Sequence, residues 1–247
     1  MQNTQQGKKK PIMGYLHKLF ISLTLVLSAI ILNAQNDNSI ENSSVKKESY
    51  LTFDAFSSLN TYSPRWRFGY VKGISPKWKL GLNLGYGNSN ISYTGFAENY
   101  EEDYELWEIK PELYYNLRQT QKSTTYGSFE LYYINHQDIY HDYYYLPIGG
   151  GVIRYDQADY LRQKYGFNFN IGTFIHMGKW FGMNIFTGVG FKIRNNSFSN
   201  IVNPEPADPD FIEMLSHIDM YDDNEYKVAE GLDYGFNFSL GLKLLFR

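Results

Sequence analysis

The sequence predicts an all-β protein in which eight antiparallel strands run up and down around a barrel that spans a membrane. Three observations predict this fold. Apolar residues alternate with polar or small residues over unusually long stretches, short and long connections alternate between those stretches, and the chain begins with the organisation of an export signal. Alternation with a period of two is typical of a strand with one apolar and one polar face.

The composition of the 247 residues excludes several classes of site. The chain contains no Cys, which excludes disulfide scaffolds, thiol catalysis and thiolate-bound metals. Its 23 Tyr, 17 Phe and 4 Trp are far too many aromatic residues for a disordered chain. The one apolar run that approaches the length of a membrane helix covers residues 19–32, so a bundle of membrane helices is excluded.

Residues 1–34 have the three parts of a cleaved signal peptide. A basic region with four lysines precedes the apolar run at 19–32, and Ala34 supplies a small residue before a polar start. A permanent N-terminal anchor is the alternative, but the apolar run is short for a membrane helix. We therefore expect cleavage after Ala34, a flexible N-terminal segment over residues 35–48 and a barrel over residues 49–247.

The charge of the exported chain argues against a nucleic-acid partner. Cleavage after Ala34 removes four lysines and no acidic residue, so the formal net charge changes from −3 to −7. The remaining sequence also lacks the basic stripe that nucleic-acid binding needs.

Two segments show the alternation most clearly. Between Trp78 and Tyr86 every second residue is apolar, and between Leu232 and Phe246 only Leu245 breaks the same pattern. Soluble strands average about five or six residues, whereas a tilted membrane strand needs roughly nine to eleven. Weaker copies of the pattern complete a set of eight predicted strands, at residues 51–55, 66–70, 78–86, 107–117, 129–133, 165–175, 181–193 and 232–246.

The connections between these strands alternate in length. Those after strands two, four and six are short, and those after strands three, five and seven are long, at residues 89–103, 140–161 and 195–230. Tight periplasmic turns, long extracellular loops and periplasmic termini are typical of outer-membrane barrels. A chain without a spanning helix crosses hydrocarbon only as a closed barrel, because every backbone N–H and C=O needs a partner inside the protein.

Aromatic residues lie near the ends of the predicted strands, where the strands would meet the two membrane interfaces. We expect Trp66 and Trp107 at the outer interface and Trp78 and Phe246 at the inner one, as an interfacial girdle. Pro111 falls on the outward face of the fourth strand, where it removes a backbone donor from the sheet.

Together these features resemble the small eight-stranded outer-membrane β-barrels of the OmpA transmembrane type and the generic outer-membrane barrel families of Gram-negative envelopes. The resemblance covers residues 49–247 and includes the last strand, which ends at Phe246 and Arg247. It implies a place in the outer membrane with both termini in the periplasm. The partners it implies are outer-membrane lipid, lipopolysaccharide and the barrel-assembly machinery, which recognises a terminal aromatic residue in such families.

Charged residues fall on the inward faces of strands two to five. An eight-stranded barrel leaves an interior that side chains fill, and buried charges persist only when they are paired. We interpret these residues as a structural charge network in the lumen, and the alternative is a narrow, gated path for an ion or solute. The network comprises Arg65, Arg67, Lys79, Glu108, Lys110, Glu112 and Glu130.

The long loops are acidic and aromatic, which favours a role in surface binding. Residues 195–230 contain nine acidic residues and one lysine, which is typical of a solvated loop, and the alternative is a loop that shares Ca²⁺ or Mg²⁺ with lipopolysaccharide. Residues 210–218 have the spacing of a short amphipathic helix, with simple loop closure as the alternative. Tyr143–Tyr145 and Gly149–Gly151 suit a recognition surface or an aromatic loop at the membrane interface.

A group of His and Asp residues suggests an enzymatic alternative. It consists of His136, Asp138, His141 and Asp142, near the outer end of the fifth strand. Some small barrels cleave or transfer the acyl chains of lipid A with a His, an acid and a Ser, and here Ser197 or Ser199 would be the nucleophile. Zn²⁺ binding is a second reading of the same group. Because His136 and His141 have opposite strand parity, we favour a non-enzymatic envelope barrel without a cofactor.

Overall fold

The computed structural model describes residues 48–54, 56–60, 63–90, 103–208 and 228–247. The strands are β1 (Ser49–Asp54), β2 (Trp66–Gly73), β3 (Trp78–Asn88), β4 (Glu105–Gln119), β5 (Ser123–Tyr145), β6 (Ile153–His176), β7 (Phe181–Val202), β8 (Glu205–Pro206) and β9 (Gly231–Phe246). A 3₁₀ helix, Ser57–Leu59, lies between β1 and β2. The predicted signal peptide and all but the last residue of the predicted flexible segment lie outside the described residues. Among the residues described, no helix is long and apolar enough to cross a membrane.

Eight of the strands close into a ring. Each strand from β1 to β6 pairs antiparallel with the next, β7 pairs with β9, and β9 pairs with β1. The remaining strand, β8, is a two-residue strip at the edge of β6. The prediction of an all-β, antiparallel fold is confirmed, and the closed sheet is barrel-like.

The ring is staggered by ten residues. Asp54 pairs with Lys243 across the seam between β1 and β9. The opposite route, through the successive partners of Asp54 on β2 to β7, reaches Asp233 on β9, ten positions from Lys243. Such a stagger tilts the strands relative to the axis of a closed sheet.

Short and long connections lie at opposite ends of the ring. The end with the short links, here called the turn end, has residues 74–77, 120–122 and 177–180 together with Glu48 and Arg247. The other end, called the loop end, has the links at 55–65, 89–104, 146–152 and 203–230. The chain therefore has the alternation of link lengths that the sequence indicates.

Two predicted loop boundaries are wrong, because β5, β6 and β7 are 22 to 24 residues long. The predicted loop at 140–161 shrinks to residues 146–152, and the loop at 195–230 begins only after Val202. Past the ring, many outward residues of these strands are polar, such as Gln137, Gln163 and Ser199, while the inner face carries Tyr140, Tyr160 and Phe198. The apolar alternation therefore ends in the sequence although the hydrogen-bonded ladder continues. Most of the predicted loop at 89–103 and of the predicted helix at 210–218 lies outside the described residues.

The ring has reversed polarity compared with a soluble protein. On β3, Leu84 on the outer face is 54% exposed and Lys79 on the inner face is 3% exposed. The same division holds on the neighbouring strands, where Phe68 and Trp107 lie outside and Glu108 lies inside. Apolar side chains are thus exposed on the outer surface, and polar and charged side chains fill the interior.

Pro111 lies where the ladder between β4 and β5 is interrupted. The register pairs Ile109 with Tyr133 and resumes at Glu112 with Glu130, so it omits Pro111. Because proline has no backbone N–H, the gap occurs where this strand lacks a donor.

Glycines on the inner face make room for the bulky side chains of the lumen. Gly172 pairs with Tyr126, and a Cβ added at Gly172 would lie 2.5 Å from the Tyr126 hydroxyl. Gly241 pairs with Phe186, and a Cβ there would lie 2.3 Å from the phenyl ring. Both approaches are closer than carbon and oxygen atoms allow, so a larger residue at either position would force its neighbours to shift.

We predict that Gly241→Ala lowers the free energy of unfolding by about 1–3 kcal/mol, because the new methyl group overpacks the lumen against Phe186. Urea unfolding followed by tryptophan fluorescence measures the change. The matched control is Gly127→Ala, whose added Cβ meets nothing closer than 4.0 Å and which should stay within about 0.5 kcal/mol of the parent. Equal destabilisation by the two substitutions would contradict this account of lumen packing.

Candidate functional site

Near the turn end, a layer of aromatic and aliphatic side chains packs together inside the ring, and we call this layer the lumen plug. Its members come from seven of the eight ring strands and are Tyr50, Val71, Tyr114, Tyr126, Phe174, Phe186 and Leu245. The eighth strand, β3, contributes Lys79, whose ammonium lies 5.0 Å from the ring centroids of Tyr50 and Phe174. Every strand of the ring therefore supplies a side chain to this layer.

Below the plug, Glu48 joins the two ends of the described chain. Arg247 donates a hydrogen bond of 2.6 Å to its carboxylate, and the Tyr50 hydroxyl donates a second one. Lys79 and His176 each lie 3.6 Å from the same carboxylate. Burial by itself raises the pKa of Glu48, but the hydrogen bond from Tyr50 and the charges of His176, Lys79 and Arg247 lower it below the usual value.

Directly above the plug, Glu112 is fully enclosed by donors. Lys243 lies 3.3 Å from its carboxylate, and the Ser128 and Tyr114 hydroxyls donate hydrogen bonds of 2.6 and 2.5 Å. Asn170 adds a longer hydrogen bond of 3.4 Å. Four strands thus converge on one carboxylate, which stabilises a charge that burial alone would disfavour.

Further toward the loop end, Glu108 binds two guanidinium groups. Arg65 Nε and Arg67 Nε each lie 2.7 Å from Glu108 Oε2, and their second nitrogens lie 3.2 and 3.1 Å from Oε1. Arg67 also forms an ion pair with Asp54. Glu108 is 1% exposed in its side chain, so this charge depends on its two arginine partners.

All seven residues of the predicted charge network are buried in the lumen. Three of them meet at Glu108, and Lys110 pairs with Glu130 at 3.0 Å. Lys79 and Glu112 instead take partners that the sequence reasoning missed, Glu48 and Lys243. Asp54 is a third missed member.

The sequence does indicate the inward position of two of the three missed residues. Asp54 and Lys243 have inward parity on the first and last predicted strands, and closure of the ring brings those strands together. Glu48 precedes the first strand, so no alternation indicates where its side chain lies.

A polar cavity of about 220 Å³ occupies the lumen on the loop-end side of the plug. Phe186, a plug residue, lies at one side of it, and Tyr132, Asn168 and Asn237 form part of the wall. Its charged lining consists of Asp54, Arg65, Arg67, Glu108, Lys110 and Lys164. The interior is therefore packed at the turn end and partly hollow above.

The four predicted girdle residues lie on the outer surface and belong to two aromatic belts. Near the loop end, Trp107 lies 5.0 Å from Tyr133, measured between ring centroids, and Trp66 on β2 pairs with Tyr86 on β3, which pairs with Trp107. Near the turn end, Trp78 lies 4.9 Å from Tyr115, and Phe246 lies 5.8 Å from Phe181. From Trp78 to Tyr86 on β3 and from Trp107 to Tyr115 on β4, the belts are eight residues apart, or about 26 Å along the strand.

Beyond the aromatic belt near the loop end, β5, β6 and β7 continue as a three-stranded extension with an aromatic inner face. Tyr155, Tyr160 and Phe198 form a buried cluster with Ala158, and Tyr140, Tyr143 and Tyr145 pack against it. Tyr144 belongs to a second cluster with Val152 and Val228. Ile148, in the link between β5 and β6, is 80% exposed. The predicted Tyr143–Tyr145 segment is therefore strand, and the glycines at 149–151 form the turn at its tip.

The structure does not bring the predicted enzymatic residues together. His136 is buried on the inner face between Tyr104 and Tyr160, with ring centroids 5.0 and 5.5 Å away, and its Nε2 lies 3.7 Å from Asp138. His141 and Asp142 are exposed. Ser197 and Ser199 lie on the outer face of β7, on either side of the inward Phe198. Within the described part of the chain, no three His, Asp or Glu side chains are grouped as metal ligands.

No protein-family model, no curated protein and no solved structure matches this chain. The resemblance to small outer-membrane barrels therefore stays a prediction.

We predict that Glu108→Gln lowers the free energy of unfolding by about 3–5 kcal/mol, because it leaves two buried guanidinium groups without their shared counter-charge. Urea unfolding at neutral pH measures the loss. Glu105→Gln, an exposed carboxylate on the same strand, is the control and should change the stability by less than about 0.5 kcal/mol. Similar unfolding midpoints for the two variants would show that the network contributes little.

Proposed function

We propose that this chain is an outer-membrane protein without enzymatic activity, which crosses the membrane as an eight-stranded barrel and acts at the cell surface. The observation that carries the proposal is the reversed polarity of a closed sheet. Its outer face exposes Leu, Phe, Trp and Val on neighbouring strands, while paired charges occupy its interior. Soluble monomers rarely expose contiguous apolar patches larger than a few hundred Å².

A lipid environment explains both the apolar outer face and the closure of the ring. In hydrocarbon, a sheet is tolerated when its backbone groups pair within the protein, and ring closure provides such pairing. The two aromatic belts suit the membrane interfaces, where amphipathic rings prefer to lie. Along strands tilted by about 40°, their separation of about 26 Å corresponds to a height of about 20 Å, somewhat less than the apolar band of about 25 Å of outer-membrane barrels.

The predicted export signal and the link lengths support an orientation with the turn end in the periplasm and the loop end outside the cell. In this orientation Glu48 and Arg247 lie on the periplasmic side, where the barrel-assembly machinery would meet the last strand. The extension of β5, β6 and β7 then projects beyond the outer leaflet among lipopolysaccharide molecules. The proposed surface role rests on this extension and its exposed tip at Ile148.

A closed lumen favours a structural or binding role over transport. The lumen plug contains side chains from seven strands, and Lys79 from β3 lies against it. The carboxylates above the plug are engaged by Arg65, Arg67, Lys110 and Lys243. A narrow transporter would need both layers to rearrange.

The positions of the candidate catalytic residues do not support an enzymatic reaction on lipid A. His136 lies on the inner face and Ser197 on the outer face of the sheet, so the wall separates the base from the nucleophile. We therefore propose surface binding or a structural role as the function.

We predict that Leu82→Arg destabilises the chain refolded into lipid vesicles by about 2–4 kcal/mol, because Leu82 faces hydrocarbon between the two belts. Leu82 is 42% exposed, so in a water-soluble protein the same change would be nearly neutral. Gln137→Arg, on the outward face of the extension, is the matched control and should cost less than about 0.5 kcal/mol.

Urea unfolding in vesicles of phosphatidylcholine measures both variants. Full stability of the Leu82→Arg variant, together with solubility of the parent chain in detergent-free buffer, would overturn the membrane assignment.

We predict that the refolded chain produces no stepwise current in a planar lipid bilayer, because the lumen plug blocks the interior. A wide porin reconstituted by the same protocol is the positive control, and recovery of the inserted chain from the bilayer lipid verifies its presence. Reproducible steps of current from the parent chain would favour the narrow transporter instead.

A further inference from the structure

The two ends of the described chain meet at the turn end, around the carboxylate of Glu48. Arg247 Nη2 lies 2.6 Å from Glu48 Oε1, and the Tyr50 hydroxyl donates a hydrogen bond to Oε2. His176, the last residue of β6, lies with its Nε2 3.6 Å from the same Oε2. We call Glu48, Tyr50, His176 and Arg247 the terminal clasp.

The contacts of the His176 ring define which of its nitrogens carries the proton of the neutral form. Arg247 Nη2 lies 3.1 Å from His176 Nδ1, and a guanidinium group can only donate hydrogen bonds. Nδ1 is therefore the acceptor, so the proton belongs on Nε2, the nitrogen that faces Glu48. Neutral His176 thus connects the guanidinium to the carboxylate without a charge of its own.

A second proton on His176 is incompatible with this arrangement. The proton would occupy Nδ1, so Arg247 would lose its acceptor and one donor would face another. The imidazolium would also be a third cation, beside Arg247 and Lys79, around the single carboxylate of Glu48. Like charges at such distances repel one another, and they do so more strongly in a half-buried site than in water.

The surroundings of His176 oppose its protonation. Desolvation lowers the pKa of His176 below its usual value; the charge of Glu48 raises this pKa, and those of Arg247 and Lys79 lower it. The pKa of Glu48 is lowered as well, so its carboxyl stays mostly ionised at pH 5. The backbone N–H of His176 donates to the Lys122 carbonyl. In the described ranges, the charged and titratable side chains that face the His176 ring are Glu48, Tyr50, Lys79 and Arg247.

The terminal clasp lies beside the shortest ladder of the ring. Among the described residues, β1 and β9 pair over four positions, fewer than any other neighbouring strands of the ring. Arg247 directly follows Phe246, the last residue of this ladder, and its backbone N–H donates to the Trp180 carbonyl. Loss of the side-chain contacts of Arg247 therefore loosens the end of β9.

We propose that the terminal clasp is an acid-sensitive device, which holds the end of β9 near neutral pH and releases it when His176 takes up a proton. Neutral His176 accepts a hydrogen bond from Arg247 and stabilises the clasp, whereas the imidazolium repels Arg247 and opens it. An open clasp returns His176 to the ordinary histidine pKa of about 6.5, so opening becomes more favourable as the pH falls below about 6.5. The proposal concerns the chain ends and applies to the ring in detergent as well as in lipid.

Hydrogen exchange of the full chain refolded in dodecyl maltoside tests the release of Arg247. The matched variant is His176→Gln, because its neutral amide can accept from Arg247 and donate to Glu48 but does not titrate. At pH 5.0, the pepsin peptide that ends at Arg247 should exchange about fivefold faster in the parent than in this variant, as the loss of one hydrogen bond provides. At pH 7.5 the two rates should be equal. Comparison at one pH cancels the intrinsic pH dependence of exchange.

Two further variants locate the effect. Arg247→Gln removes the cation that the imidazolium repels, so in this background His176→Gln should change the exchange rate at pH 5.0 by less than about twofold. His141→Gln replaces an exposed histidine of the extension and is the control. Its C-terminal peptide should exchange like that of the parent at both pH values.

NMR of the chain labelled with ¹⁵N-histidine measures the protonation of the ring directly, and His176→Gln assigns the signal. We expect the Nε2–H form at pH 7.5. An Nδ1–H form at this pH, or equal exchange of the parent and His176→Gln at pH 5.0, would refute the proposal.

Should His176→Gln fail to fold, urea unfolding of the parent and of Arg247→Gln decides. Between pH 7.5 and 5.0, the unfolding equilibrium constant of the parent should rise about fivefold more than that of Arg247→Gln. An equal rise in the two proteins would contradict the proposal without affecting the membrane assignment.

Discussion

Closure of the hydrogen-bonded ring is the constraint on which the rest of the structure depends. Eight antiparallel strands pair one another's backbone N–H and C=O groups, so most of these groups do not need water as a hydrogen-bond partner. Closure also separates two surfaces with opposite requirements. The outer surface exposes apolar side chains between two aromatic belts, and the narrow interior encloses ionised groups that must find partners among themselves.

The interior meets this requirement in layers. Toward the turn end, aromatic rings fill the section of the ring, and inner-face glycines such as Gly172 and Gly241 give those rings space. Above them, single carboxylates gather donors from several strands, as Glu112 does with Lys243 and Ser128. Nearer the loop end, the inner face of β9 carries small residues, and the packing opens into a cavity. The same ring therefore has a packed aromatic core near the turn end and a charged cavity nearer the loop end.

Alternation with a period of two was sufficient to predict the all-β fold and the inward parity of the charged residues. It also assigned Asp54 and Lys243 to the inner face, but only ring closure makes them neighbours of the other charges. Leu245 looked like an exception to the alternation, whereas it is an inward member of the lumen plug. A single apolar residue at an inward position gives no hint of the layer to which it belongs.

Other features had no signal in the alternation. Glu48 lies before the first strand, and its contacts with Arg247 and His176 depend on where the chain ends meet. The length of β5 to β7 is not evident from the sequence because many outward residues past Tyr133, such as Asn135 and Gln137, are polar, which resembles a loop. Among the described residues, only Lys243 to Phe246 of β9 pair with β1, because β1 ends at Asp54. None of these follows from the residues of one strand alone.

The uninterrupted course of β5, β6 and β7 has a mechanical consequence. A force applied at the 146–152 tip acts along strands whose ladders run from the tip into the wall of the ring, with β5 and β6 in register from Ser123 to Tyr145. Hydrogen bonds loaded along the strand direction share the load and break together rather than one after another. In the proposed membrane orientation, the extension is therefore a stiff arm that holds a partner bound at its tip at a fixed distance from the bilayer.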